Sequence, residues 1–107
     1  MIYEVRTYTL RPGTMAEFEE RYEKRLPSRL RHSKLGGFWH TEFGPLNQVV
    51  HVYPYDDLQH RTRVRTAMAQ DAERNAMPGG AWPPQAGVRP VRQENKLLIP
   101  AVFSPVR

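Results

Sequence analysis

The chain has 107 residues and no cysteine, with 16 basic against 11 acidic residues and a net charge of +5. That length makes one domain, residues 1–107, with a modest core of its own. The missing cysteines exclude disulfides, thiolate catalysis and Cys-type zinc or iron–sulfur sites, and suit a reducing, cytoplasmic home.

Ile2 to Leu10 has strand composition and is broken by Arg11-Pro12-Gly13. Met15, Phe18, Tyr22, Leu26 and Leu30 then recur at steps of three and four, the apolar stripe of a helix. Thr14 with Glu17 three residues on reads as a capping box. Pro27 predicts one bent helix or two short ones, resuming over Leu30 to Leu35 and stopping at Gly36-Gly37. Phe38 to Phe43 and Gln48 to Tyr55 are aromatic and β-branched runs separated by the turn residues Gly44-Pro45-Leu46-Asn47, which predicts a hairpin.

Asp56 or Asp57 caps a second helix, whose core stripe is read as Leu58, Thr62, Arg65, Met68 or Ala69, and Ala72. Asn75 to Gly87 holds three prolines and three glycines, and regular structure is expected to fail there. Trp82 in this loop is read first as a plug for a core gap and second as a lid. A last strand runs from about Val91 to Ile99, ahead of a proline-punctuated tail.

The order β, α, β, β, α, β is the split βαβ plan of an α+β, ferredoxin-like sandwich with helices on one face of a four-stranded antiparallel sheet. The strands are apolar on both alternations: Trp39, Val50 and Val52 against Phe38, Val49 and Tyr53. A second subunit is therefore expected to pack sheet to sheet as a homodimer. Neither membrane insertion nor nucleic-acid binding is expected. No apolar run approaches membrane length, the N-terminus has no signal pattern, and Arg61, Arg63 and Arg65 are spread around their helix instead of forming a phosphate stripe.

Three blocks, MIYEVRTYTLRPG, LGGFWHTEFGPLNQVVHVYPYDDL and QENKLLIPAVFSP, resemble the NIPSNAP family of the dimeric α+β barrel superfamily. The resemblance implies strand order 4-1-3-2 and a dimeric barrel. It implies little chemistry, since related barrels include cofactor-free monooxygenases, haem-degrading enzymes, lactone isomerases and sugar mutarotases. The loop from Ala76 to Gly87 departs from the family pattern.

The candidate site residues are Arg6, His51, His40 and Glu42. A hairpin loop of even length centred on Pro45-Leu46 sets His40 opposite His51, with Glu42 further along the same face; a three-residue loop sets His40 opposite Val52 instead. Two imidazoles and a carboxylate suit a facial iron triad or a proton-transfer site equally. A strand histidine is more often hydrogen-bonded to a neighbour than bound to metal, and no metal or cofactor is assigned. His32 and His60 are read as surface residues, Glu4 with Arg6 as a cross-strand or inter-subunit ion pair, and Tyr3, Tyr8 and Tyr53 as packing. Phosphate loops, nucleophile elbows and HExxH motifs are missing from the sequence. Two functions follow: a small-molecule site where Arg6 orients an anionic or carbonyl-bearing ligand and His51 moves a proton, or a non-catalytic dimeric interaction module.

Overall fold

Alternation in the first run places Ile2, Glu4, Arg6 and Tyr8 on one side of a strand and Tyr3, Val5, Thr7 and Thr9 on the other. In the computed structural model, which describes residues 1–73 and 89–107, this run is β1 (Ile2–Thr9). It is followed by α1 (Met15–Leu30), β2 (Gly37–His40), β3 (Gln48–Tyr55), α2 (Leu58–Ala69) and β4 (Arg92–Leu98). The strands form one antiparallel sheet in the order β2-β3-β1-β4, which is the expected 4-1-3-2 read from its other edge. The Trp82 loop lies outside the described residues.

Both helices pack on the face that carries Glu4, Arg6 and Tyr8. Phe18 of α1 joins Tyr8, Leu10 and Val49 in one apolar cluster, and Val64 and Met68 of α2 join Tyr53 and Tyr55 in a second. Tyr22 touches both. The opposite face carries Tyr3, Val5, Val50, Val52 and Trp39, and neither α1 nor α2 lies over it; Trp39 is 56% exposed.

Four local expectations are corrected. The capping box does not form, because the Thr14 hydroxyl donates to the Arg11 carbonyl at 2.7 Å and Glu17 pairs with Arg21 instead. With Pro27 inside it, α1 is one continuous helix, the first of the two expected outcomes, but it ends at Leu30 rather than resuming to Leu35. The last turn is held to the sheet by Arg29, which replaces Leu30 on the buried stripe: Arg29 is 7% exposed and Leu30 51%. β2 stops at His40, three residues short of Phe43, because Gly44 and Asn47 adopt φ values of 91° and 62° and turn the chain in a wide loop.

The inner stripe of α2 also differs in phase. Asp57 caps it, accepting from the His60 backbone N–H at 2.7 Å. From that cap the buried positions fall at Val64 and Met68, while Leu58 is exposed. Met68→Ala is therefore expected to cost about 2–5 kcal/mol in urea denaturation. Leu58→Ala should shift stability by less than about 0.5 kcal/mol; the reverse ranking would refute this helix phase.

Candidate functional site

A single buried carboxylate organises the polar interior. Glu4 is fully buried on β1, and its Oε2 accepts from Arg61 of α2 and from the Asn95 amide of β4, each at 2.7 Å. Arg6, two residues along β1, has its Nη1 only 3.9 Å from the same oxygen, an ion pair rather than a hydrogen bond. Burial pushes the Glu4 pKa up, but the hydrogen bonds from Arg61 and Asn95 and the charges of Arg61 and Arg6 outweigh it and hold the carboxyl below its usual range. Reciprocally, the Glu4 hydrogen bond raises the proton affinity of Arg61.

Arg6 pairs directly across the sheet with His51. The imidazole is 2% exposed and is surrounded by the rings of Tyr8, Tyr22, Phe38 and Tyr53, with centroids 4.7 to 5.6 Å away. Its Nδ1 lies 2.6 Å from the Tyr53 hydroxyl, which in turn is hydrogen-bonded to the Tyr22 hydroxyl. Among the described residues Nε2 has no partner, and neither has the buried Nε of Arg6. Burial, followed by the charges of Arg6 and Arg29, pushes the His51 pKa down to about 3, so the ring is neutral near pH 7. Burial raises the pKa of Tyr53, aided by Tyr22, and keeps that phenol protonated.

Arg29 closes the cluster from α1. Its guanidinium lies 3.6 Å from the centroid of the Tyr53 ring, and it donates to the Tyr55 hydroxyl at 2.9 Å.

The register does not bring the four sequence candidates together. Phe38, not His40, stands opposite His51; His40 pairs with Val49, and its ring Nδ1 lies 2.5 Å from Glu19 of α1. The loop is even-numbered, as the expected facing requires, but the partner of His40 is two residues from the expected one, Val49 instead of His51. His40 therefore shares the face of His51 without reaching it. Glu42 is exposed in the loop. Among the described residues no three His, Asp or Glu side chains gather as a metal site.

Several partners were missed by sequence reasoning. Tyr53 is two residues from His51 on the same strand face, and strand parity could have paired them. Arg29 and Arg61 were hidden because arginine on a helix reads as solvated surface. Glu4 and Arg6 do form an ion pair, but within one strand, and the short contacts of Glu4 go to α2 and β4. His32 is half-buried and lies 2.6 Å from Asp71, not on an open surface. Glu94 pairs with Thr7 on the uncovered face, while Asn95 faces inward.

Comparison with known proteins places these features in a family context. The NIPSNAP family model matches residues 3–105. The human protein NipSnap homolog 3A is 47% identical over 74 residues, covering 68% of this chain and 30% of its own length. NipSnap homolog 1 of Danio rerio is 32% identical over 114 residues, covering 99% of this chain and 36% of its own length. The chain thus spans about a third of the length of these curated relatives. Among solved structures, an uncharacterized NIPSNAP domain protein from Burkholderia xenovorans superposes with a TM-score of 0.86 at 33% identity, covering 98% of this chain and 99% of the other. A NIPSNAP family protein of unknown function from Agrobacterium tumefaciens gives 0.87 at 28% identity, covering 100% and 94%. No described helix is long and apolar enough to cross a membrane.

Two predictions follow from the buried charges. Glu4→Gln leaves Arg61 and Arg6 without their carboxylate and is expected to cost about 3–5 kcal/mol in urea denaturation; a loss under 1 kcal/mol would contradict the clamp. The second concerns pH. Because the folded pKa of His51 is depressed from 6.5 to about 3, the unfolded chain binds the proton first, and stability present above pH 6.5 is lost as pH falls toward 3. His51→Gln should flatten the decline between pH 6.5 and 5, leaving the loss from Glu4, whose carboxyl is held below its usual range, at lower pH; unfolding midpoints across that range check it.

Proposed function

The chain belongs to the NIPSNAP family, and we propose that it binds a small carbonyl-bearing or anionic metabolite against Arg6 and His51, between the sheet and α1, and transforms it by acid–base chemistry. The observation that carries this reading is a pair of buried nitrogens without a partner among the described residues, His51 Nε2 and Arg6 Nε, on directly paired residues. A buried polar atom without a partner costs about 1–3 kcal/mol, and a ligand oxygen between these two groups would satisfy both. The surrounding rings keep the site dry, which strengthens any charge interaction made there.

The electrostatics define the roles. Arg6 orients the ligand through charge. His51 is neutral, so with its Nδ1 accepting from Tyr53 it presents Nε2–H to a carbonyl oxygen and polarises it, as a neutral imidazole can. An anion beside Arg6 offsets the charge that depresses His51 and raises the affinity of the ring for a proton. In the other tautomer, with Nδ1–H donating to the Tyr53 hydroxyl and Arg6 polarising the carbonyl in its place, Nε2 is a free acceptor for the proton of the carbon adjacent to the carbonyl, the requirement of isomerase-like proton transfer and of cofactor-free oxygenase chemistry with O2 as co-substrate. His40 and Glu42 stand outside this reading, since the register sends them to Glu19 and to the exposed loop.

The uncovered sheet face supports a homodimer as part of the same proposal. Tyr3, Val5, Val50 and Val52 are only half-buried there, beside an exposed Trp39, although they occupy the centre of the sheet. A second copy packed face to face would remove this surface from water and close a dimeric α+β barrel. The alternative, a non-catalytic dimeric interaction module, is favoured by one observation: Ile99, Val102 and Phe103 of the tail are at least 84% exposed.

Both parts are testable. In D2O with pyruvate, wild-type protein should speed deuterium entry at the methyl carbon, and His51→Gln should slow it by about 10²–10⁴-fold. Equal exchange with and without His51 would remove the residue from the chemistry; no exchange with any small carbonyl acid, and no binding, would favour the interaction module. Sedimentation should give a particle of twice 12.5 kDa, and Val52→Glu should give the monomer. A wild-type monomer at micromolar concentration would sink the dimer.

A further inference from the structure

The charges of the interior do not balance. Around Glu4 and Tyr53, three guanidinium groups of the described residues enter it: Arg6 from β1, Arg29 from α1 and Arg61 from α2. Among the described residues the one carboxylate buried with them is Glu4. Arg61, at 2.7 Å, and Asn95 take its Oε2. Arg6 approaches that oxygen only to 3.9 Å. Arg29, 7% exposed, makes no salt bridge among the described residues; it has a hydroxyl and a ring face, and its Nε is unpartnered. After Glu4 offsets Arg61, two cations remain uncompensated.

Those two cations bear on one point. Arg6 stands directly opposite His51, and Arg29 packs on the ring of Tyr53, whose hydroxyl is hydrogen-bonded to His51, so both cations lie around the imidazole, whose Nε2 has no partner among the described residues; their charges lower its proton affinity and outweigh that of Glu4, which raises it. The side chains packed around the ring are Tyr8 from β1, Tyr53 from β3, Tyr22 from α1 and Phe38 from β2, and none of them is a carboxylate. The ring faces of Tyr8 and Tyr53 partly solvate Arg6 and Arg29, but a quadrupole does not cancel a charge. An uncompensated buried cation is costly, and a ligand of opposite charge is the direct remedy.

We infer that the ligand of this site is a small dianion, with one negative group at Arg6 and His51 Nε2 and the second charge compensated by Arg29. This rests on the ligand-site reading above and gives it a substrate class. A dicarboxylate and a phosphate share this chemistry.

The test uses the full chain and probes of graded charge: malonate, its monomethyl ester, malonamide and inorganic phosphate. Affinities are read by NMR titration of the His51 ring signals. Malonate is expected to bind at least tenfold tighter than the monoester, and the monoester at least tenfold tighter than malonamide. Arg29→Met should erase the advantage of malonate over the monoester while leaving the monoester affinity in place, and Arg29→Lys should restore that advantage. Arg6→Gln should weaken both acids. If Arg29→Met fails to fold, the wild-type series and Arg29→Lys still decide. Equal affinities for malonate and its monoester overturn the dianion, while their common loss in Arg6→Gln would keep the ligand site. Phosphate binding tighter than malonate, with the same dependence on Arg29, assigns the dianion to the phosphate class. No shift of the His51 signals with any probe overturns both the inference and the site.

Discussion

A carboxylate with no exposure to solvent cannot stay charged in a small domain unless other groups come to it, and the burial of Glu4 imposes that condition on the whole molecule. Arg61 comes from α2, and Asn95 comes from β4 at the far end of the chain. Glu4 therefore fastens the central strand to one helix and to one edge of the sheet through a single oxygen. This matters most for β4. All seven of its residues are exposed to some degree, so apolar burial does little to hold it. Its ladder to β1 and the Asn95 hydrogen bond supply what packing does not.

The same clamp sets the conditions around His51. Because Glu4 is committed to Arg61, Arg6 is left with a distant partner, and its charge acts on the imidazole across the strand pair. The two apolar clusters lie on either side of this polar zone, with Tyr22 bridging them. An interior split in this way gives up apolar contact area in a domain that has little to spare. Arg29 recovers part of it, since its stem and planar group pack on Tyr53 while reaching Tyr55.

Much of the fold was legible in the sequence because its signals are local. Gln48 to Tyr55 emerged as a strand with the bounds expected, and the first strand was one residue shorter than read. The step pattern from Met15 to Tyr22 gave the correct face of α1. The site was less legible, for two physical reasons. Hairpin register depends on loop backbone angles, and a loop with positive φ at Gly44 and Asn47 sets the pairing two residues from the expected one without changing its parity. Each helix also places an arginine on its inner stripe, Arg29 in α1 and Arg61 in α2, where periodicity analysis looks for apolar residues. An arginine enters such a position only for a partner that the tertiary fold supplies, in these cases Tyr53 with Tyr55, and Glu4.

Strand alternation links the polar site to the uncovered face. Along β1, Glu4, Arg6 and Tyr8 point toward the helices, while Tyr3, Val5 and Thr7 point away. A slip of one residue between β1 and β3 would put Val5 where Arg6 is and expose Glu4 on the other side. The polar clamp on one face and apolar packing on the other thus specify the same register, each opposing the slip for its own reason. Covering the outer face would tighten the alignment that sets Arg6 opposite His51, so the geometry of the polar site and the state of the outer face are coupled through the two central strands.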